Sequence, residues 1–355
     1  MDVEDDGVVV QHIPGRGRGL IAQQDFAVGE VVLVDTPLAV YQHSCTSCLP
    51  ACKECLVPLG VDPCTCPGGS ARPALLSPEQ QAAAAEFDCF CRSHSEHFQL
   101  AAQIIGRISA GTGDVERADV AQFEPWSWLG FGCEVPWELT PESQAHWEEQ
   151  RRGWLNQAVA LFTAVLGPGA AAVQDLLTVE YWDGLMGMLT RNVVCMEYEY
   201  PWHLIGKDPR WLLGQLKEAE QARVASYIPD APYEFEVVES DDDESAKPAA
   251  GPPQPDLVIL KGTALYPLAA MTNHSCRPNV ETSFDSGTGA QLALVAIRPI
   301  AAGEEVLLSY VDESWPLELR RRKLLWDYGF LCNCPGCALP APKLGKGRHR
   351  QRQRQ

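Results

Sequence analysis

Asn273-His274-Ser275-Cys276-Arg277-Pro278-Asn279 is the run on which the reading of this chain turns. It sets an amide, an imidazole, a hydroxyl and a thiol side by side, then meets a proline, which has no N–H to give a ladder. Two blocks follow it. Gly303-Glu304-Glu305-Val306-Leu307-Leu308-Ser309-Tyr310 reads as a turn and a strand ending on a tyrosine. Tyr328-Gly329-Phe330-Leu331-Cys332-Asn333-Cys334-Pro335-Gly336-Cys337 places two aromatic residues before a trio of cysteines. That trio offers three thiolates, whereas tetrahedral zinc takes four ligands. Far upstream, Gly15-Arg16-Gly17-Arg18-Gly19 is a turn that only glycine-rich backbone tolerates. Taken singly, each string is unspecific: an Asn-His-Ser is usually a turn, and a tyrosine at a strand end is usually packing. Their order along the chain carries the information.

Composition narrows the field. The 355 residues are 46% apolar and carry a net charge of −19. A substantial core is therefore available, and wholesale disorder is excluded. The acidic balance argues against a surface that binds nucleic acid throughout. Residues 343–355 are the exception, with six Lys/Arg and no acid. Such a tail reads as a nuclear address, a nucleic-acid contact or a solvated terminus. The opening Met-Asp-Val-Glu-Asp-Asp lacks the basic and apolar regions of a secretory signal. The most apolar stretch, Ala158 to Leu166, runs into Gly167-Pro168-Gly169 and falls short of the ~20 residues of a membrane helix. A protein of the nucleus, the cytoplasm or both is expected, neither secreted nor membrane-bound. Thiols stay reduced there, so clustered cysteines suggest metal rather than disulfides. Of the 14 cysteines, six fall between Cys45 and Cys66 and three between Cys332 and Cys337.

The pattern along the chain predicts an α+β protein. Val8 to Ile13, Leu20 to Gln23 and Val31 to Val34 read as short strands between glycine turns. Pro78 to Ile108 reads as helix, and a second helix starts with Thr140 as N-cap and Pro141 behind it. A third spans Val179 to Arg191. Leu265 to Met271, Val280 to Phe284, Gln291 to Ile300 and Glu305 to Tyr310 read as strands, and Pro316 to Asp327 as a closing helix. Glu239 to Gln254, with its Ser240-Asp241-Asp242-Asp243-Glu244-Ser245 run, reads as a disordered linker. A β domain interrupted by a Cys-rich and helical insertion results.

In order and spacing, the blocks around Arg16, Asn273, Tyr310 and Tyr328 resemble SET-domain lysine methyltransferases. The interruption resembles the split arrangement of the SET–MYND family, and within it the plant-type trithorax-related members. The resemblance implies a mostly β, pseudoknotted core in two parts, 8–43 and 256–331. Between them would lie a Cys-rich insert (44–75), a helical insertion (76–238) and the acidic linker (239–255). A post-SET zinc segment (332–338) and the basic tail (339–355) would follow. It also implies roles. Arg16, Gly17 and Arg18 match the first cofactor-binding turn. Asn273 and His274 match the pair that grips S-adenosylmethionine, Phe330 the ring on its adenine, and Asn192 a further contact. Tyr310 matches the catalytic tyrosine, which also touches the cofactor, and Tyr328 the ring beside the lysine channel. Cys276 is implied as the fourth zinc ligand beside Cys332, Cys334 and Cys337. The finger of the family looks truncated here. Cys45, Cys48, Cys52 and Cys55 could hold one zinc, while Cys89, Cys91, His94 and His97 read as helix residues.

The implied chemistry is methyl transfer to the ε-amine of a protein lysine, histone being the leading substrate class. It asks for a neutral amine held in line with an activated methyl group, so orientation does much of the work. Lysine titrates near ~10.4 in water, and a narrow apolar channel lowers that. The rivals are a methyltransferase for a non-histone protein and a SET-fold scaffold without activity. Intact Asn273, His274 and Tyr310 speak against the scaffold.

Overall fold

The computed structural model of the chain describes residues 4–5, 7–47, 49, 51–58, 76–111, 115–129, 141–200 and 259–338. The acidic run, the basic tail, Thr140, Cys48, Cys64 and Cys66 lie outside them. The chain opens with β1 (Glu4–Asp5), β2 (Val8–Ile13), β3 (Gly17–Ala22), β4 (Val31–Asp35) and β5 (Ala39–Gln42). Helices follow: α1 (Pro78–His94), α2 (His97–Ala110), α3 (Arg117–Ala121), α4 (Pro141–Leu166) and α5 (Val179–Asn192). The chain returns to strands with β6 (Val193–Glu199), β7 (Ile259–Leu265), β8 (Asn273–His274), β9 (Val280–Phe284), β10 (Leu292–Ala296) and β11 (Glu305–Leu308). It closes with α6 (Leu317–Tyr328) and α7 (Pro335–Ala338).

Every sheet among the described residues joins strands from before the helices to strands from after them. Their orders are β1-β2-β3-β11-β8, β4-β10-β9 and β5-β7-β6. The β2–β3 hairpin pairs Val8 with Ala22 through Ile13 with Gly17, which presents Arg16 at its turn. β11 then adds to β3 antiparallel and to β8 parallel, so β11 carries one face of the site on each side. Asn279 is fully buried and completes the pairing where Pro278 cannot. Its Oδ1 accepts from Leu307 N–H at 2.6 Å and its Nδ2 donates to Glu305 O at 2.8 Å.

The helices hang on this framework through one aromatic cluster. Trp182 of α5 is wholly buried, with the rings of Phe87 (α1), Phe98 (α2) and Phe162 (α4) at 6.5, 6.1 and 5.8 Å. α2 seals the exposed edge of β5. The Gln103 amide accepts from Val40 N–H at 3.0 Å and donates to Val40 O at 2.6 Å, a side chain standing in for a ladder strand. Arg107 adds a bond to Leu38 O at 2.8 Å.

Three local expectations need correction. Leu265 to Met271 is not a strand. β7 ends at Leu265, and a 3-10 turn, Ala269–Met271, follows. The buried Asp35 carboxylate holds that turn by accepting from Leu268 and Ala269 N–H at 2.8 and 2.7 Å. The apolar run there reflects burial, not period-2 pairing. Pro78 to Ile108 is two helices, because Ser95 is extended (φ −161°, ψ 124°) and the Glu96 carboxylate turns to accept from Ser44 N–H. Ala145–Leu176, read across the kink after α4, is long and apolar enough to cross a membrane by length and composition. Its buried residues, Leu155, Ala158, Phe162, Val173 and Leu176, belong to the protein core. The face left exposed is Arg152, Asn156, Gln157, Ala160 and Ala164, polar or small rather than lipid-seeking.

Candidate active site and thiolate cluster

The β2–β3 turn, β8 and the 328–335 segment converge on a cavity of ≈ 580 Å³. Arg16, Asn273, His274, Ser275, Leu307, Tyr310, Tyr328 and Phe330 line it, together with Trp126 from the insertion. Such a volume suits a small organic ligand.

One wall is a polar chain fixed at every joint. Arg16 NH1 donates to Glu305 Oε2 at 2.7 Å, and its NH2 donates to His274 O at 2.6 Å. Asn273 Nδ2 donates to Glu305 Oε1 at 2.9 Å and to Arg18 O at 3.0 Å. Both amide hydrogens of Asn273 are thus committed, which leaves its Oδ1 as the group available to a ligand. Glu305 carries this wall, yet the sequence reading gave it no role.

The other wall is aromatic. α6 ends at Gly329, whose φ of 75° few side chains tolerate. The reversal lets Tyr328 and Phe330 face the same space, with centroids 6.5 Å apart. Tyr310 lies 4.7 Å from Tyr328 and 5.2 Å from His274, ring to ring. Its hydroxyl donates to Thr272 O at 2.5 Å. Burial pushes the Tyr310 phenol far above its ordinary range, so the hydroxyl stays neutral.

His274 joins this wall to the cysteines. Its Nδ1 accepts from Tyr310 N–H at 3.0 Å. A backbone N–H can only donate, so the ring proton sits on Nε2, which faces Cys276 Sγ at 3.2 Å. Burial, with the Arg16 and Arg320 cations nearby, lowers the imidazole to about 4, which keeps it neutral. Cys276, Cys332, Cys334 and Cys337 bring their Sγ atoms within 4.8 Å of one another, and all four are free thiols. A tetrahedral zinc with Zn–S ≈ 2.3 Å requires sulfurs about 3.8 Å apart, and the Cys276–Cys337 pair lies at 3.5 Å. The donor set therefore fits zinc. Burial works against ionisation of Cys334, but N–H groups of Cys276 and Cys337 bring its thiol down to about 6.

Not every expected residue reaches the cavity. Gly17 opens β3 opposite Ile13 and does not line it. Arg18 turns its guanidinium away to Gln122 O. Asn192, the last residue of α5, donates to Met188 O at 2.8 Å within its own helix and is absent from the lining. Of the N-terminal cysteines, Cys45 and Cys52 are buried and Cys55 half-buried, while Cys48 lies outside the described residues. Cys89, Cys91 and His94 sit on α1 and His97 opens α2. Trp126 was not foreseen, since its segment has no periodicity. Arg191 lies 3.6 Å over its ring, and Gly187 allows its backbone to press against α5.

Over 78 residues the chain is 42% identical to the histone-lysine N-methyltransferase ATXR2 of Arabidopsis thaliana, a match covering 22% of this chain and 16% of that protein. It is 42% identical over 77 residues to the N-lysine methyltransferase SMYD2-A of Xenopus laevis, covering 22% and 17%. A 76-residue match to the histone-lysine N-methyltransferase SMYD3 of Mus musculus has the same identity and covers 21% and 17%. The matched stretch is thus about a sixth of each relative's length. Among solved structures, the SET domain of LSMT bound to lysine and AdoHcy superposes at a TM-score of 0.41 with 12% identity, over 93% of this chain and 54% of that one. The SET domain family model matches residues 17–311, from the β2–β3 turn to the residue after Tyr310. With strands of both its halves woven into every sheet, the chain belongs to the SET-domain family.

Proposed function

We propose that this protein transfers the methyl group of S-adenosylmethionine to the ε-amine of a lysine in a protein substrate. One observation carries the reading: a neutral, half-buried tyrosine hydroxyl, anchored on Thr272 O, stands where the polar and aromatic walls of the cavity meet. The residues present suit the cofactor. Asn273 Oδ1 and the Arg16 guanidinium offer an amide acceptor and a positive charge, fit for the ammonium and carboxylate of an amino-acid moiety. Phe330 offers a ring face, fit for adenine. Bound there, S-adenosylmethionine supplies a methyl group on an electron-poor sulfur.

The chain's own residues do the rest. The Tyr310 hydroxyl has its one proton committed to Thr272 O, so its oxygen is left to accept an N–H of the amine and thereby aim the amine's lone pair. Tyr328 and Phe330 narrow the approach and keep water from it, which favours the neutral amine over the ammonium. Most of the acceleration then comes from alignment. Cys276, Cys332, Cys334 and Cys337 would hold a structural zinc with no open position. That zinc would fix Phe330 two residues before Cys332, and His274 two residues before Cys276.

On this reading 8–43 and 256–331 form the catalytic core, 76–238 the helical insertion, and 332–338 the zinc segment. Histone is the substrate class we favour, since ATXR2 and SMYD3 are named for it. SMYD2-A bears the broader name of N-lysine methyltransferase, and a non-histone substrate is the second reading. The basic tail suits a nuclear address. The test is incubation of the purified protein with radiolabelled S-adenosylmethionine and a cell lysate. Label stable on protein lysine supports the reading. Cofactor binding without any labelled protein would favour the scaffold.

A further inference from the structure

The chain leaves the cavity along the aromatic wall. Every residue from Phe330 to Pro335 lines the cavity, and α7 then carries the chain about one helical turn further, to Ala338. Residues 339–355 follow, outside the described residues. They hold two lysines, Lys343 and Lys346, with four arginines and no acid. A chain spans at most ~3.6 Å per residue, so Lys343 stays within about 18 Å of Ala338 and Lys346 within about 29 Å. Both lengths leave slack to turn back to the cavity. Lys346 stands between Gly345 and Gly347, where reversing the chain meets least steric resistance. Lys261 and Lys323 have no such freedom. They sit on β7 and α6, paired with Glu197 at 3.6 Å and Asp327 at 2.7 Å. Charge favours the return of the tail, because Asp312 and Glu313 are exposed two and three residues after Tyr310, on a chain of net charge −19. Exposed charges attract over about 8–10 Å before salt screens them.

We propose that the protein methylates its own tail within one chain, on Lys346 and on Lys343, each entering the cavity beside Tyr310. The proposal names a substrate for the methyl transfer argued above and rests on that reading. The lysine ammonium first gives a proton to solvent. The neutral Nζ then attacks the methyl carbon, the N–C bond forms as the S–C bond breaks, and the sulfonium becomes the neutral thioether of AdoHcy. The methylated ammonium keeps the positive charge, so the tail stays as basic as before. Tethering supplies the advantage. A group held a few residues from its site is presented at an effective concentration on the order of millimolar, with no docking surface required.

The experiment uses the full chain as wild type and as the double variant Lys343→Arg, Lys346→Arg. Each is incubated with S-adenosylmethionine, alone and with a cell lysate, and the tail peptides are read by mass spectrometry. Wild type should carry methyl groups on Lys346 and Lys343, at a rate constant that does not change when the protein is diluted tenfold. The double variant should leave its own tail bare while labelling lysate proteins at least as fast as wild type. A second readout needs no turnover. With AdoHcy bound and a photoreactive amino acid at position 346, irradiation should cross-link the tail to residues that line the cavity, such as Tyr328 or Phe330. Lysate proteins labelled while the wild-type tail stays bare would overturn the proposal and leave methyl transfer standing. A rate constant that falls in proportion on dilution would mean that one copy methylates another, and cross-links confined to other surfaces would mean that the tail does not return; either overturns it. No label on any protein overturns it as well, through the methyl-transfer reading itself.

Discussion

Replacing Glu305 by glutamine should uncouple the polar wall of the cavity while leaving the fold intact. The two carboxylate oxygens of Glu305 do different work: Oε1 accepts from Asn273 at 2.9 Å and Oε2 from Arg16 at 2.7 Å. A glutamine of the same shape can accept at only one of those positions. Whichever way its amide turns, its NH₂ then faces Asn273 Nδ2 or the Arg16 guanidinium, donor against donor. A hydrogen bond to a charged group contributes about 1.5–3 kcal/mol. The Arg16 side chain is 37% exposed, so solvent screens part of that. A value just below that range, about 1.4 kcal/mol or a tenfold loss of S-adenosylmethionine affinity, is the expected effect. Isothermal calorimetry on Glu305→Gln and wild type measures it, with a thermal melt to show that the variant is folded. The half-buried carboxylate stands behind Arg16 and Asn273 and is not itself part of the cavity lining. Affinity within twofold of wild type would therefore show that Arg16 and Asn273 do not need it, and would refute the coupled wall.

Gly187→Ala would place a methyl group 1.9 Å from Trp126 O, so it should lower stability by about 1–3 kcal/mol. It should also weaken cofactor binding by displacing Trp126, and an unchanged melt and affinity would contradict that packing. Because burial holds the Tyr310 phenol above its ordinary range, the neutral hydroxyl persists on the alkaline side. Methyl transfer should then rise from about pH 7 to 9.5 as the lysine amine loses its proton, and a falling limb in that interval, on protein shown to be folded, would speak against a neutral Tyr310. Removing residues 343–355 from a fluorescent fusion should shift it out of the nucleus, whereas an unchanged distribution would leave the tail as a solvated terminus.

The fold was legible wherever local chemistry dictates it. Val8–Ile13 and Val280–Phe284 are strands at the expected residues, since each alternates or is bounded by turns. Strands β1, β5, β6, β7 and β8 were not anticipated, and of these β5 and β6 become strands by pairing with β7 from elsewhere in the chain. That pairing is a long-range fact which no window of sequence contains. The site divides in the same way. Asn273, His274, Tyr310, Tyr328 and Phe330 stood out as a spaced set of polar and aromatic residues, and the cavity brings them together. Glu305 and Trp126 did not stand out. A glutamate on a strand and a tryptophan in an aperiodic segment acquire roles only from what packs against them.

Tyr310→Phe tests the central claim most directly. Phenylalanine fills nearly the same volume and keeps the ring contacts with His274 and Tyr328. Only the hydroxyl on Thr272 O is lost. Methyl incorporation into protein and S-adenosylmethionine affinity are measured side by side on the variant and on wild type. If the hydroxyl aligns the amine in the transition state, turnover falls ~10²-fold or more while cofactor affinity changes little. Turnover within threefold of wild type would contradict the account, because the group placed at the meeting point of the two walls would then have no part in the reaction.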